Sequence, residues 1–390
     1  MHRAATAIII YANSQGPVPS PNPPPNRRNP ALNQASPPYL RRLLRAAALA
    51  ALLLAHPATA QDRFPGATWA QLDPAHDGWS APDLAKAQDW SQRINSTAVM
   101  VIHHGAVVAE WGDISKRTEL ASVRKSFLSA LIGIAVAHKQ ISLDSTLAQL
   151  GIDDTPPSLT ETEKQATVRM LLEARSGIYH PALYETPGMA AKRPPRGSHP
   201  PGTFWYYNNW DFNALGTIYE HATGTGIYDA LYRLIARPIG MQDYRPEDGT
   251  YVTGAASIHR AYPIRMSARD LARFALLYLH GGNWAGRQVV PAAWVRESTR
   301  PYSSSGFGPG YGYLWWTGTS ADGSQAGVRL PSGSFFAWGA GGQYAFVIPA
   351  HDLVVVSRVD RDLHLPEPKF ALVATLLQLI MLAGGFDPAR

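Results

Sequence analysis

The 390-residue chain contains no cysteine. That excludes disulfides, thiolate metal sites, a cysteine nucleophile and a lipid-modified N-terminal cysteine. Charge is sparse: 16% of residues are Asp, Glu, Lys or Arg against 45% hydrophobic, which describes a folded globular chain and excludes a disordered one. Long apolar runs are also missing. Ala46–Ala55, and Phe370–Ala383 with its Thr375 and Gln378 interruptions, both fall short of the ~20 residues a bilayer span needs. The second reads instead as a terminal helix packed on a core.

Asp and Glu are absent from residues 1–60, which hold six arginines and no lysine. Subtracting those six from 35 basic residues leaves 29, equal to the 29 acidic ones. The net charge of +6 therefore lies wholly in a leader, and electrostatic capture of nucleic acid or anionic lipid loses its motive. Arg41, Arg42 and Arg45 precede the apolar run Ala46–Ala55, and Ala58-Thr59-Ala60 follows it. A charged segment, a short apolar segment and an Ala-x-Ala site make a signal peptide over about 40–60, with the mature chain starting at Gln61. A bacterial protein exported to the periplasm or medium is expected. Ten of the 32 prolines lie at or before Pro57, so the stretch upstream of residue 40 reads as a proline-rich extension preceding the true translation start.

Residues 61–390 are expected to form one domain of α/β (α+β) class. Ser96–Trp111 reads as a hairpin turning at His104-Gly105, and Leu120–Lys139 as an apolar helix. From about 145 to 295 the pattern is mostly helical: Thr167–Ala174, Phe212–Ala222, Gly226–Ile235, Ala268–Leu279 and Pro291–Ser298. The remainder turns β-like. Gly312–Trp316 and Phe335–Trp338 are expected strands, and Gln343–Pro349 with Leu353–Val359 a hairpin. An antiparallel sheet drawn from both chain ends, flanked by helices, with a mostly helical inserted region, is the economical arrangement.

Three short motifs carry chemistry. In Ser122-Val123-Arg124-Lys125, residues three apart share a helix face, so the Lys125 amine reaches the Ser122 hydroxyl. A neutral lysine there can activate a serine, and a helix N-terminus favours both a neutral amine and an oxyanion. Chance expects roughly 0.5 Ser-x-x-Lys pairs in such a chain, so a serine cap beside a surface lysine is the competing reading. In Tyr207-Asn208-Asn209, a phenol whose phenolate is favoured beside an ammonium can shuttle a proton, and Asn209 can bind a carbonyl. An aromatic cluster beneath the loop competes, and Tyr206-Tyr207-Asn208 fits the same pattern. Trp338-Gly339-Ala340-Gly341-Gly342-Gln343 ends a strand where a backbone N–H could join that of Ser122 in an oxyanion hole, or merely turn. The histidines His103, His104, His259 and His351 lack ligand-spaced carboxylates, so no metal site is expected.

In order, and at separations of 85 and 131 residues, these motifs resemble the serine β-lactamase and D-alanyl-D-alanine-peptidase superfamily, in its class C-like branch. LLEARSGIYH, MSARDLARFALLYLHGGNW, YGYLWW and AWGAGGQ look most like the 6-aminohexanoate-dimer (nylon-oligomer) hydrolases of that branch. The resemblance covers about residues 80–385. It implies Ser122 as acylated nucleophile, Lys125 and Tyr207 as general-base pair, and Asn209 as carbonyl ligand. The Ser122 N–H would pair with that of Ala340, or of Gly341 if the register slips. It also implies acyl-enzyme hydrolysis without metal or cofactor, and a cleft-facing tyrosine, Tyr179 or Tyr184, from the loop that holds His180. Penicillin-recognising relatives usually carry Lys or His where this chain has Trp338; a neutral indole cannot meet a carboxylate, which points to a neutral ester or small amide. The competing expectations are a peptidoglycan peptidase or β-lactamase, and a catalytically silent binding protein of the same fold.

Overall fold

Every residue of the strands Ala98–His103, Gln343–Ile348 and Leu353–Arg358 is buried, as in a sheet covered on both faces. The computed structural model describes residues 63–322 and 329–386; the leader, with its expected signal peptide, lies outside the described residues. Strands β1 (Ala98–His103), β2 (Ala106–Gly112), β3 (Ser303–Ser304), β4 (Gly310–Tyr311), β5 (Trp316–Thr317), β6 (Phe335–Gly339), β7 (Gln343–Ile348) and β8 (Leu353–Arg358) form one sheet. Their order is β2-β1-β8-β7-β6-β5-β4-β3, with antiparallel pairing throughout. The N-terminal hairpin thus joins the sheet through the C-terminal strand, Met100 opposite Val356. The expected two-ended sheet and α/β class are what the fold shows.

Helix α1 (Ala81–Arg93) begins at Ser80, whose hydroxyl accepts the Asp83 N–H, with proline in the first turn. Helix α2 (Arg124–Ala137) is buried along nearly its whole length. Helix α3 (Asn209–Thr223) starts three residues before its expected first residue because the Asn208 side chain caps it, and ends at left-handed Gly224. Helices α4 (Ala268–Leu279) and α5 (Phe370–Ala383) complete the long elements. Side chains alternate across a pleated strand, and β6 uses that alternation. Phe335 points at Tyr278 of α4, while Phe336 stacks on Phe370 of α5. The two helices therefore cover opposite faces.

Between α2 and β3, no strand of the main sheet occurs among the described residues; short helices such as Leu147–Leu150, Val168–Leu172 and Ile227–Leu231 alternate with loops. One expectation fails. Gly312–Trp316 is mostly a reversal between β4 and β5, with the Gly312 N–H donating to the Trp315 carbonyl. Gly312 presses so closely on the chain at Ser298 that an added Cβ would lie 2.2 Å from its carbonyl oxygen. No helix among the described residues is long and apolar enough to cross a membrane.

Candidate active site

Ser122 sits in a single 3-10 turn, Ala121–Val123, between the sheet and α2. Ala121 adopts φ +47°, a left-handed conformation that costs a non-glycine residue about 1–3 kcal/mol. The elbow is held open by its neighbours: the Leu120 N–H donates to Ile264, and the Arg124 guanidinium to the Ala121 carbonyl. The turn presents the serine while the first turn of α2 points Lys125 back at it.

The Lys125 amine donates to Ser122 Oγ over 2.7 Å and to the Tyr207 hydroxyl over 2.6 Å. It lies 1% exposed, 4.4 Å from the Tyr207 ring centre and 4.7 Å from that of Phe212. Burial, then the adjacent Arg124 charge, holds Lys125 well below the usual lysine range. Tyr207 is pushed up to about 12 by burial, only partly opposed by Ser122 and Arg124. Burial thus disfavours the charged form of each group, which opposes the expected pairing of a lysine ammonium with a tyrosine phenolate. Of the two candidate tyrosines it is Tyr207 that meets Lys125, for the Tyr206 hydroxyl donates to the Met189 carbonyl.

The end of β6 closes against the elbow. A Cβ on Gly339 would lie 2.5 Å from the Leu120 carbonyl and 2.9 Å from the Ser122 nitrogen, so only glycine lets these backbones meet. Ala340 and Ser122 line the same cleft of about 420 Å³. Gly341 instead turns the hairpin at φ +77°, where an added Cβ would lie 3.0 Å from the Arg361 side chain, and it is not among the residues lining the cleft.

The cleft walls are aromatic: Trp205, Tyr206, Tyr207, Phe307, Trp316 and Trp338. Trp338 packs 5.1 Å from Trp316 and 5.1 Å from Phe370. Lys192 and Glu367 supply the charged groups on the lining. Of the wall residues, Tyr207, Trp316 and Trp338 lie inside motifs visible in the sequence, whereas Phe307 has no local signal.

Three expected site residues lie elsewhere. Asn209 is 2% exposed as the first residue of α3, its amide donating to the Tyr184 carbonyl, so it is a helix-start residue tying a loop and does not line the cleft. Tyr179 is buried with its hydroxyl on His199 and its ring edge-on to Tyr206, behind the wall. Tyr184 lays its ring against the Arg124 guanidinium. His180 is buried beside Glu163, 3.7 Å away, and also does not face the cleft. His104 finds a carboxylate after all, Asp352 at 2.7 Å, because β1 and β8 end side by side.

The Beta-lactamase family profile matches residues 81–370. An uncharacterized protein of Alkalihalophilus pseudofirmus is 25% identical over 297 residues, covering 67% of this chain and 83% of its own. A structure described as a 6-aminohexanoate-dimer hydrolase from Bacillus anthracis superposes with TM-score 0.59 at 20% identity, over 82% of this chain and 86% of the other. EstCE1, described as a hydrolase with promiscuous acyltransferase activity, gives TM-score 0.56 at 16% identity over 80% of this chain and all of the other. A penicillin-binding protein homologue from Caulobacter crescentus gives 0.54 at 17% identity over 73% and 93%.

Proposed function

The chain belongs to the beta-lactamase family of serine hydrolases, and on that premise we propose that it cleaves esters or small amides through an acyl-Ser122 intermediate. The observation that carries this reading is the Lys125 amine held within 2.7 Å of Ser122 Oγ and 2.6 Å of the Tyr207 hydroxyl in a buried site that disfavours its protonated form. In acylation the Ser122 proton passes to Lys125 Nζ as Oγ bonds to the substrate carbonyl carbon. The resulting oxyanion faces the N–H groups of Ser122 and Ala340. Collapse breaks the bond to the leaving group, which takes the proton by way of Lys125 and Tyr207. Water then repeats the sequence, its proton going to the same pair, and frees the acid.

The substrate is a neutral, apolar acyl group. Trp338 and the other cleft aromatics support that reading, since at the strand end beside Ala340 an indole offers no cation to a carboxylate, and Lys192 shares the lining with Glu367. A short-chain nitrophenyl ester is therefore expected to turn over faster than a cephalosporin in the same enzyme; the reverse order would favour the β-lactam or peptidoglycan-peptidase reading. A fluorophosphonate probe with intact-mass readout separates an enzyme from a silent binding protein. Ser122 gains one probe mass, Ser122→Ala gains none, and equal labelling of both would overturn the assignment. We further propose that the chain is exported, with a mature N-terminus at Gln61. N-terminal sequencing tests this, and an intact Met1 would refute it.

A further inference from the structure

Arg124 is a cation in an unusual place. Its side chain is fully buried, and among the described residues no carboxylate pairs with it. The guanidinium lies between two aromatic faces, 4.9 Å from the Tyr184 ring and 5.0 Å from the Tyr262 ring. One nitrogen donates to the Ala121 carbonyl over 3.2 Å; Nε and the other terminal nitrogen have no partner. Burying such a charge unpaired is costly, and an apolar side chain would spare that cost, so the position serves something other than packing.

We infer that Arg124 is the positioning residue of the Ser122–Lys125–Tyr207 centre, tethering the strained elbow and setting a fixed positive charge beside the amine that must stay unprotonated. The inference rests on the acyl-serine reading above. The tether acts on Ala121, whose left-handed backbone orients the Ser122 hydroxyl and N–H. The charge acts one residue along, on Lys125.

The remaining surroundings of Lys125 do not supply a competing charge. Tyr207 and, edge-on to it, Tyr311 from β4 are both held protonated by burial. Asp211 of α3 is likewise pushed well above the usual carboxylate range by burial, and it accepts from Ser176. Tyr262, and Tyr228 from the short helix Ile227–Leu231, are raised by burial, with Arg124 opposing. Helix Ala292–Ser298 meets α2 at its far end, where Trp294 covers Gly133, and its Glu297 is engaged by Tyr302 and Arg300. On the sheet side, Arg358 is committed to Gln343 and Thr118, and Glu119 lies 3.8 Å from Arg361. Arg124 is thus the cation placed to act on Lys125.

The test is the pH dependence of fluorophosphonate labelling at Ser122 in the full chain. Protonation of Lys125 gives the rate an acid limb. Replacing a fixed positive neighbour by a neutral group raises the amine's proton affinity, so Arg124→Gln moves that limb up by about one pH unit. Arg124→Lys, which keeps the charge, leaves the limb in place while slowing labelling through the lost planar tether. If Arg124→Gln does not fold, Arg124→Met, which retains the apolar stem, carries the same comparison. A limb unmoved in the neutral variants, with rates lowered equally at every pH, would reduce Arg124 to a structural role and overturn the inference while leaving the acyl-serine reading intact. A wild-type chain that never labels at Ser122 would instead overturn both.

Discussion

A lysine stripped of water is the most consequential residue of this protein. An ordinary lysine titrates near 10.5, and Lys125 is held well below that by burial and by Arg124. Between the two values the unfolded chain binds a proton that the folded chain refuses, so folding loses free energy as pH falls through that window. Lys125→Met removes the refused proton together with the base. We expect it to abolish labelling of Ser122, and the melting-temperature difference between variant and wild type to widen in the variant's favour as pH falls from about 10 toward neutrality. A difference that stays constant across that range, followed by calorimetry, would contradict the depressed titration. The pairing of Ser122 with Lys125 is legible in the sequence because helix periodicity brings the two together, whereas Tyr207, 82 residues further on, joins them only through the family resemblance of the ordered motifs. The positions of Tyr179, Tyr184 and Asn209 are not, since which face of a loop meets the cleft is decided by what packs behind it, here His199, Arg124 and the start of α3.

Among the elements, α2 shows how tightly the reactive end is braced from the far end. Gly133 is covered by Trp294, and an added Cβ would sit 2.2 Å from the indole ring. Gly133→Ala raises helix propensity yet must displace the indole or tilt the helix, and overpacking of this kind costs about 1–3 kcal/mol. A lower denaturant midpoint with unchanged slope is the expected result, and a stabilised variant would show that the indole yields freely. Helices α4 and α5 could be delimited from sequence alone. Ser267 caps the first, with its hydroxyl accepting the Asp270 N–H, and the second is an uninterrupted apolar run but for two polar residues. Strands β3, β4 and β5 could not, because two-residue strands hold no periodicity to read and exist through their neighbours.

At the scale of the molecule, segments near the two ends of the described residues meet in an aromatic seam. Trp79 donates to His103, and Phe386 packs edge-on against both rings. Burial, then His104, lowers His103 from 6.5 to about 4. The unfolded chain therefore takes up a proton first as pH drops, and stability contributed by neutral His103 is whole above 6.5 and lost toward 4. His103→Gln, which keeps an acceptor for Trp79, is expected to flatten the acid side of the stability curve over that window; an unchanged slope in urea titrations would assign the loss elsewhere. The joining of both ends in one sheet was readable from strand patterns at each end and a helical stretch between. The seam was not, for Trp79 and His103 lie 24 residues apart and Phe386 is far along the chain from both.

The elbow carrying Ser122 is translated in the first third of the chain, whereas the strand end that closes on it, Gly339-Ala340, comes near the last. During synthesis the serine therefore waits, without its opposing wall, for some two hundred residues to emerge. Such long-range pairing is slow to form. If Ser122 is the nucleophile proposed above, a ribosome-stalled or truncated product lacking β6 is expected to resist acylating agents, so that reactivity would become a clock for completion of the polypeptide.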